Sequence, residues 1–352
     1  MFKNKKKFFT ACLFLIVLLG IWQCKNIQYF SQQAKGGLNV AFNTRPLTKV
    51  LQDPNVPDSL KKRILFIGEI RKYAIDSLGL QDNEDVYQTL YDQKGKPLVY
   101  LLTVAEAYQL KGISFHFPII GNFSYKGFFD STMIHQEELE WKLKGYDTDI
   151  GEGIAYSTLG WLPEPILSNM LYYSDGKLAS LIIHEMVHGT IFIKNDHETS
   201  ENLANFIGDY GAKRFLAYKY GLNSNEYQRF VQSKLIRKEL IRHLNRGSQK
   251  LDSLYRSFSQ NLSSKDKDSA KYALIEQIVL GKDSVLAKFH PTQTPKKQAT
   301  IRKEDLPNNA YFIGFKTYNS KQNAFERLFE ETYKNNFERF LAGMKSKFNK
   351  GK

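Results

Sequence analysis

Two histidines and a glutamate interrupt an otherwise apolar run, LIIHEMVHGTIF, at residues 181–192. His184 and His188 lie four residues apart, so in a helix both imidazoles project from the same face, one turn apart. Two nitrogens at that separation can bind one zinc ion, while Glu185 points about a hundred degrees away and can reach a water on the metal. The HExxH spacing therefore predicts a metal site that activates water for hydrolysis.

The apolar surroundings favour a metal site over a pair of ordinary core histidines. Burying two imidazoles and a carboxylate without a cation costs on the order of several kcal/mol in desolvation. The chain has only seven histidines, so a fold that buries two of them in one apolar helix needs a compensating interaction. The helix is predicted to begin at Ser174 or Asp175, either of which can cap it. Its buried sides are supplied by Leu178, Leu181, Ile182, Met186, Val187 and Ile191.

A catalytic zinc site needs a third protein ligand and an open coordination position. One known solution is a histidine six residues after the second, with a glycine between them. It is excluded because Lys194 and Ile191 occupy those two positions. The other common solution is a glutamate on the next helix, and the segment KNDHETSENLANFIGDYGAKRF offers Glu198 and Glu201.

Glu201 is the predicted third ligand because of the helix that carries it. Thr199 or Ser200 can cap a helix that starts there. One stripe of that helix is then small enough to pack closely against the first helix, and it consists of Glu201, Ala204, Asn205 and Gly208.

The neighbours of Glu201 have other predicted roles. Glu198 is interpreted as a first-turn carboxylate favoured by the helix dipole, and His197 as a loop histidine. Asn205 and Asp209 follow at one-turn intervals and are placed to orient an imidazole ligand through their side-chain oxygens.

The elements around this site predict an α+β protein that is mostly helical, with a small N-terminal β-sheet. A helix is predicted from Ser59 to about Gly79. The runs VYQTLYD and KPLVYLLTVAEAY flank the turn QKGK, which predicts a β-hairpin, and the β-containing part extends over about 84–160. The helical part covers about 174–347, with helices predicted at 175–193, 200–220, 224–246, 249–284 and about 321–347.

Residues 1–25 are predicted to be a signal or membrane anchor, followed by one extracytoplasmic domain over residues 26–352. Four lysines precede a fifteen-residue apolar stretch from Phe8 to Trp22. The lysines should stay cytoplasmic, which sends the rest of the chain across the membrane. The stretch is shorter than the about twenty residues of a comfortable span. An uncleaved anchor, a lipoprotein modified at Cys24 and a cleaved soluble form remain open.

Composition narrows the class of protein further. The two cysteines, Cys12 and Cys24, lie in or beside the N-terminal segment, so the body has neither disulfides nor thiolate metal sites. The net charge is +14, but the basic residues are scattered and lack the Gly and aromatic interleaving of an RNA platform. Solvated helix faces are therefore predicted, and a nucleic-acid partner is not.

Several segments together resemble a known family: HEMVH and SENLANFIGDYGA, with YKGFF and AYSTLGWLPEPIL upstream and NNAYFIGFKTYNSKQNAFERLF downstream. From about Cys24 to Leu341 the chain is similar to the bacterial putative aminopeptidase family of membrane-associated zinc metallopeptidases. The resemblance implies a zincin-like core of the gluzincin type that binds one zinc ion through His184, His188 and Glu201. It also implies that Glu185 is the catalytic glutamate.

Two departures from the family pattern stand out. Ser200 occupies the position before the glutamate ligand, where the family usually has asparagine. The N-terminus also lacks the clean lipobox of many members, because Trp22 and Gln23 precede Cys24 where small side chains are usual.

The predicted function is that of a membrane-tethered zinc metallopeptidase acting on a peptide or protein. Glu185 takes a proton from the zinc-activated water that attacks the peptide carbonyl and later passes it to the leaving amine. The oxyanion needs a donor, for which Tyr156 in EGIAYSTLGW is predicted, with Tyr125 in SYKGFF as the other candidate. Glu152 is a conceivable carboxylate for a substrate's free N-terminus, and exopeptidase activity otherwise rests on the resemblance.

The alternative is a non-catalytic envelope-binding or scaffold protein in which zinc only holds two helices together. That hypothesis predicts four protein ligands, with His197 or Asp196 as the fourth. The sequence does not indicate an oligomeric state.

Overall fold

The computed structural model describes residues 27–82, 87–117, 121–153, 164–194, 196–289, 301–317 and 322–349. The described part is mostly helical, with three small sheets, which confirms the predicted α+β class. The helices are α1 (residues 27–42), α2 (Leu47–Gln52), α3 (Asp58–Leu78), α4 (Ser131–Leu143), α5 (Asp175–Thr190), α6 (His197–Tyr220), α7 (Asn225–Arg256), α8 (Ser264–Ala287), α9 (Asn309–Thr317), α10 (Gln322–Arg327) and α11 (Phe337–Phe348).

The strands are short and lie in the N-terminal half of the chain. They are β1 (Thr44–Pro46), β2 (Thr89–Tyr91), β3 (Tyr100–Ala105), β4 (Phe115–Phe117), β5 (Gly121–Phe123), β6 (Lys126–Phe128), β7 (Asp147–Glu152) and β8 (Ile166–Leu167). One sheet has the order β1-β2-β8, a second has the order β6-β3-β7, and β4 pairs with β5. In the first sheet β2 is antiparallel to β1 and parallel to β8.

The predicted hairpin between β2 and β3 is wrong. Both strands form, but β2 has β1 and β8 on its two edges, while β3 has β6 and β7. A strand has only two edges, so β2 and β3 have none left for each other. The turn between them forms locally, with Lys96 donating its backbone N–H to the carbonyl of Gln93 at 3.0 Å, and it leads from one sheet to the other.

The main hydrophobic core lies between α3, α5, α6 and α11. α3 buries Ile64, Ile67, Ile70 and Ala74, at the three- and four-residue spacing of an amphipathic helix. It ends at Gly79, whose φ of 68° is left-handed, as the predicted boundary requires. The central helix of this core is α5, which packs against α6 and α3.

Several of the predicted helix boundaries are wrong. The break between 246 and 249 does not exist, because α7 runs without interruption to Arg256. Gly247 lies inside it, where an added Cβ would be 2.7 Å from the side chain of Ile278 on α8. The glycine therefore allows a close helix crossing and does not end the helix.

The last predicted helix, 321–347, is instead interrupted. After α10 a π-helical turn covers Leu328–Thr332, and Lys334 and Asn335 follow with φ values of 50° and 60°. The side chain of Asn336 then caps α11 by accepting a hydrogen bond from the N–H of Arg339 at 3.0 Å. The cap at Asn336 begins a separate helix, so the predicted single helix is two helices joined by a π-helical turn.

A buried polar network joins the helical hairpin α7–α8 to the β3 sheet. The ammonium of Lys271, only 1% exposed, lies 2.6 Å from the carboxylate of Asp147 on β7. The backbone N–H of Asn309 donates to the same carboxylate at 2.8 Å, and the hydroxyl of Tyr255 donates to the Asn309 side chain at 2.7 Å. Since each charge has hydrogen-bonded partners, the pair can remain buried.

Within the residues that the structure describes, no helix combines the length and apolar character needed to cross a bilayer. The predicted anchor, residues 1–25, lies outside the described residues.

Candidate metal centre

The first helix of the site, α5, is fixed at its N-terminus. Ser174 is the N-cap, as predicted, and its hydroxyl accepts a hydrogen bond from the N–H of Lys177 at 3.4 Å. Arg63 on α3 donates to the carbonyls of Leu171 and Tyr173 at 3.1 and 2.6 Å and pairs with Asp175. The start of α5 is thereby tied to α3, and the helix carries both histidines of the site in its last two turns.

The second helix, α6, begins earlier than predicted. Its first residue is His197 and its N-cap is Asp196, so the predicted caps Thr199 and Ser200 are wrong. The Asp196 carboxylate accepts from the N–H of Thr199 at 3.0 Å, and its negative charge also suits a helix N-terminus. Glu198 lies in the first turn, as predicted, while His197 belongs to the helix and not to a loop.

Close packing brings α6 onto α5 at Gly208. An added Cβ there would lie 2.7 Å from the carbonyl oxygen of Ser180 and 3.2 Å from Cβ of His184. Ala204, one turn earlier, is fully buried. The predicted stripe of small residues therefore faces α5 and sets the distance at which Glu201 meets the histidines.

Three side chains converge where these helices meet. Nε2 of His184 and Nε2 of His188 are 3.1 Å apart. The Glu201 carboxylate oxygens lie 3.4 Å from the first nitrogen and 3.3 Å from the second. Zinc bonds to imidazole of about 2.0–2.1 Å in a tetrahedral arrangement place neighbouring ligand atoms about 3.3 Å apart. The three separations therefore match what one zinc ion requires, and the donor set can hold a metal.

The charges of the cluster favour a cation at its centre. Burial is the largest single influence and lowers the pKa of the His188 imidazole, but the hydrogen bond to Glu201 together with the charges of Glu201, Glu185 and Glu164 raises the pKa overall. Burial raises the pKa of the Glu201 carboxyl, yet the two imidazoles lower it well below its usual range. Both shifts express one preference, which is for positive charge beside the Glu201 carboxylate, carried by a proton or by a metal ion.

One side of the cluster is open to solvent. The side chain of His188 is 29% exposed, whereas those of His184 and Glu201 are 13% and 14% exposed. In the part of the chain that the structure describes, the metal-binding group consists of these three residues. Asp196, one alternative fourth ligand, caps α6, and the side chain of His197 lies outside what the structure describes. A water or a substrate can therefore approach the three donors from the His188 side.

Two polar residues of α6 make contacts around the cluster: Ser200 contacts a candidate ligand, and Asp209 contacts the neighbouring helices. The Ser200 hydroxyl lies 3.3 Å from Nδ1 of His188, so the serine makes a contact with the outer nitrogen of a candidate ligand. Asp209 accepts a hydrogen bond from the Ser180 hydroxyl at 2.6 Å and forms an ion pair with Lys234 on α7. It thereby links three helices one turn from His184, while the predicted roles of Asn205 and Asp209 in orienting an imidazole stay predictions.

Two residues near the site were missed by the sequence reasoning. The backbone N–H of Tyr87 donates to the carbonyl of Glu164 at 2.7 Å, next to the pairing of β2 with β8. Burial, followed by the carboxylates of Glu185 and Glu164, raises the pKa of the Tyr87 phenol well above its usual value. The Glu164 carboxylate also contributes to the raised pKa of His188. Glu164, which lies two residues before β8, therefore adds negative charge in the neighbourhood of the candidate metal-binding group.

A weak signal for Glu164 exists in the sequence, since it is a carboxylate between two prolines in WLPEPIL. Nothing in the sequence marks Tyr87. In the structure its φ of 61° is unusual for a residue other than glycine and indicates a locally strained backbone. Strain of this kind concentrates at functional sites.

The structure places the other candidates differently. The preferred oxyanion donor, Tyr156, lies outside the described residues. Tyr125 lies in the turn between β5 and β6, with its ring 6.0 Å from that of Phe123. Glu152 is exposed at the end of β7. Burial and, to a smaller extent, the charge of Glu152 raise the pKa of the Tyr173 phenol, and Tyr173 immediately precedes the N-cap of α5. Because His188 is in the last turn of α5, Glu152 lies towards the opposite end of that helix.

Comparison with known proteins gives one match. Residues 28–351 match the family described as "Putative aminopeptidase", a span that includes both histidines, Glu185 and Glu201. No curated protein and no solved structure matches the chain. The match covers nearly all of the described structure, and the name of the family denotes a peptidase. The chain belongs to the family described as "Putative aminopeptidase".

Proposed function

We propose that the protein is a zinc-dependent peptidase, tethered to the membrane by its N-terminal segment and acting outside the cytoplasm on peptides with a free amino terminus. The observation that carries the proposal is the convergence of two imidazoles and one carboxylate at separations of 3.1–3.4 Å, open to solvent on one side. Membership of the family described as "Putative aminopeptidase" supports the reaction class.

His184, His188 and Glu201 would hold the metal, in a zincin-like arrangement of two packed helices. Nitrogen and carboxylate donors of this kind suit zinc. A zinc ion bound there lowers the pKa of a water molecule towards neutrality and polarises the carbonyl of the scissile peptide bond. His188 is the most exposed of the three side chains, so water and substrate would approach from its side.

Glu185 is the proposed general base. It follows His184 directly, is half-buried, and lies about a hundred degrees round α5 from the face that carries the two histidines. From there its carboxylate takes the proton of the attacking water and transfers it to the nitrogen of the leaving amine. Tyr87 lies close to this carboxylate and, because its pKa is raised, keeps its proton, so it can donate a hydrogen bond but cannot compete as a base.

Glu164 supports an action at the amino terminus. An aminopeptidase must bind the ammonium of its substrate within a few ångströms of the scissile bond, and a carboxylate is the natural partner for that charge. Glu164 acts electrostatically on both His188 and Tyr87, which places negative charge beside the metal-binding group. Of the two carboxylates considered for this role, Glu164 is favoured because it acts on His188, whereas Glu152 acts on Tyr173 beside the N-terminus of α5.

The test is the variant Glu185→Gln in the full chain. We expect it to retain about one zinc ion per chain while hydrolysis of a peptide library falls by about 10²- to 10⁴-fold, because the proton acceptor is lost and the ligands are not. Metal content is measured by elemental analysis and hydrolysis by mass spectrometry. Glu226→Gln, an exposed position in the first turn of α7, is the matched control and should change neither. Undiminished hydrolysis in Glu185→Gln would refute the proposal, and so would a wild-type zinc ion with four protein ligands.

A further inference from the structure

The first described helix, α1, presents a second apolar face that the core does not use. The buried residues on its inner side are Tyr29, Gln32 and Val40. Its outer side carries four large apolar side chains that are exposed to solvent, and these define the α1 stripe: Ile27 at 62%, Phe30 at 53%, Leu38 at 50% and Phe42 at 80%.

The members of the α1 stripe are aligned. Positions 27, 30, 34, 38 and 42 recur every three or four residues, and position 34 is alanine, so the stripe is continuous along one face. Its length from first to last residue is about 22 Å. The adjoining solvent-facing side is polar and carries Gln28, Lys35, Asn39 and Asn43. An exposed helix with adjacent apolar and polar sides is typical of one that lies in the interface of a membrane.

The charge of this end of the chain fits an anionic surface. Residues 1–52 contain no aspartate or glutamate, so all thirty-six acidic residues of the protein follow them. Of the eight basic side chains in this segment, Lys3, Lys5, Lys6 and Lys7 precede the anchor and belong to the cytoplasmic side. The four on the side of α1 are Lys25, Lys35, Arg45 and Lys49, of which Arg45 is paired with Asp53. Basic residues next to an apolar stripe attract a helix to anionic lipids.

The sequence before α1 limits its distance from a membrane. The apolar stretch that ends at Trp22 precedes the α1 stripe by five residues, which span at most about 18 Å. If the stretch is in a bilayer, as the proposed tether requires, Ile27 is close to the headgroups. A second copy of the chain is a weaker candidate, because four half-exposed side chains present on the order of 400 Å². A standard interface buries about 800 Å² per partner.

We propose that α1 lies along the surface of an anionic bilayer with the α1 stripe facing the acyl chains, which fixes the orientation of the peptidase body relative to the membrane. The inference rests on the tether of the proposed function and does not depend on its chemistry. The α1 stripe then contacts lipid, while the candidate metal centre acts on peptides outside the membrane.

The experiment uses the full chain reconstituted into anionic vesicles whose acyl chains are brominated, so that they quench nearby tryptophan. Phe42→Trp is compared with Tyr218→Trp, a position on α6 that is 77% exposed. The signal of each new tryptophan is its difference from the wild type, which has three tryptophans. We expect the signal at position 42 to be reduced about twofold or more and the signal at position 218 to be unchanged. Equal signals at the two positions would overturn the proposal.

Two further measurements separate this inference from the peptidase function. The double variant Phe30→Ser with Phe42→Ser should retain full zinc content and full hydrolysis of a soluble peptide. Its basic residues still attract α1 to anionic lipid, but the loss of two apolar side chains should weaken that contact. Normal hydrolysis without quenching at position 42 would overturn the α1 proposal alone, whereas quenching without hydrolysis would overturn only the peptidase. Cross-linking between copies through Leu38→Cys, in a chain lacking Cys12 and Cys24, would assign the stripe to a dimer and overturn the lipid assignment.

Discussion

The Ser200 hydroxyl lies 3.3 Å from Nδ1 of His188, on the side of the imidazole away from Glu201. The ring is therefore held at both nitrogens by residues one position apart on α6. The resemblance described above implies asparagine at this position, and the Ser200 hydroxyl can make the contact that an amide there would provide. A single turn of helix thus supplies both a candidate ligand and the partner that orients another ligand.

Replacing Ser200 should weaken metal binding without unfolding the protein. Ser200→Ala removes the contact to the outer nitrogen of His188, so the imidazole loses an orienting partner and zinc affinity should fall about tenfold to a hundredfold. Competition with a chelator of known affinity measures the change. Ser200→Asn should restore most of the affinity. An unchanged zinc affinity in Ser200→Ala would show that packing alone orients His188.

Gly208 should control the same centre from the same face of α6, about two turns beyond Glu201. In Gly208→Ala the new Cβ would lie 2.7 Å from the carbonyl oxygen of Ser180, which is backbone and cannot rotate away. The two helices must separate, so we expect a loss of about 1–3 kcal/mol in the free energy of unfolding and weaker zinc binding.

The matched control is Gly68→Ala on α3, where an added Cβ meets nothing within 4 Å. There the helix propensity of alanine should stabilise the protein by about 0.5–1 kcal/mol. Denaturant unfolding of the zinc-free proteins measures both changes. Equal effects at the two glycines would mean that the approach of α6 to α5 is not tight.

The parts of the fold that could be predicted depend on neighbours in sequence. The helical period, the Ser174 cap and the end of α3 at Gly79 are local features, and the helix pair that joins His184 to Glu201 follows from two such helices and a short connection. The family could be predicted for the same reason, because its motifs are contiguous segments of the chain.

The remaining features depend on contacts that no local pattern encodes. The helix break predicted between 246 and 249 includes Gly247, yet α7 continues through it, because an added Cβ there would lie 2.7 Å from the side chain of Ile278 on α8. The β2–β3 hairpin failed because strands from elsewhere in the chain occupy both edges of β2. The position of Glu164 depends on the parallel pairing of β8 with β2 and on the Tyr87 hydrogen bond beside it, which join residues more than seventy positions apart.

The stability of the zinc-free protein should depend on pH through His188 and Glu201. The folded pKa of His188 is raised, so its contribution is complete below its unfolded pKa and is lost as pH rises through the folded pKa. The folded pKa of Glu201 is lowered, so its contribution is present above its unfolded pKa and is lost only as pH falls through the folded pKa. The pair is therefore most stabilising in mildly acidic solution, above the unfolded pKa of Glu201.

This pH dependence can be measured by comparing the wild type with Glu201→Gln after zinc has been removed. We expect Glu201→Gln to cost about 1–2 kcal/mol near pH 5.5 and clearly less near pH 9, where His188 is neutral in both proteins. Thermal unfolding across this range gives the difference. A difference that grows with pH would contradict the assigned pKa shifts.

Glu164 should determine whether the peptidase requires a free amino terminus. In Glu164→Gln the negative charge beside His188 is removed, so kcat/KM for a peptide with a free ammonium should fall about tenfold to a hundredfold, mainly through a higher KM. The same peptide with an acetylated amino terminus carries no ammonium, so its slow hydrolysis should not change. Glu152→Gln, at the other end of α5, should affect neither substrate. If Glu164→Gln slowed both peptides equally, with kcat falling and KM constant, Glu164 would act on the metal centre and not on the amino terminus.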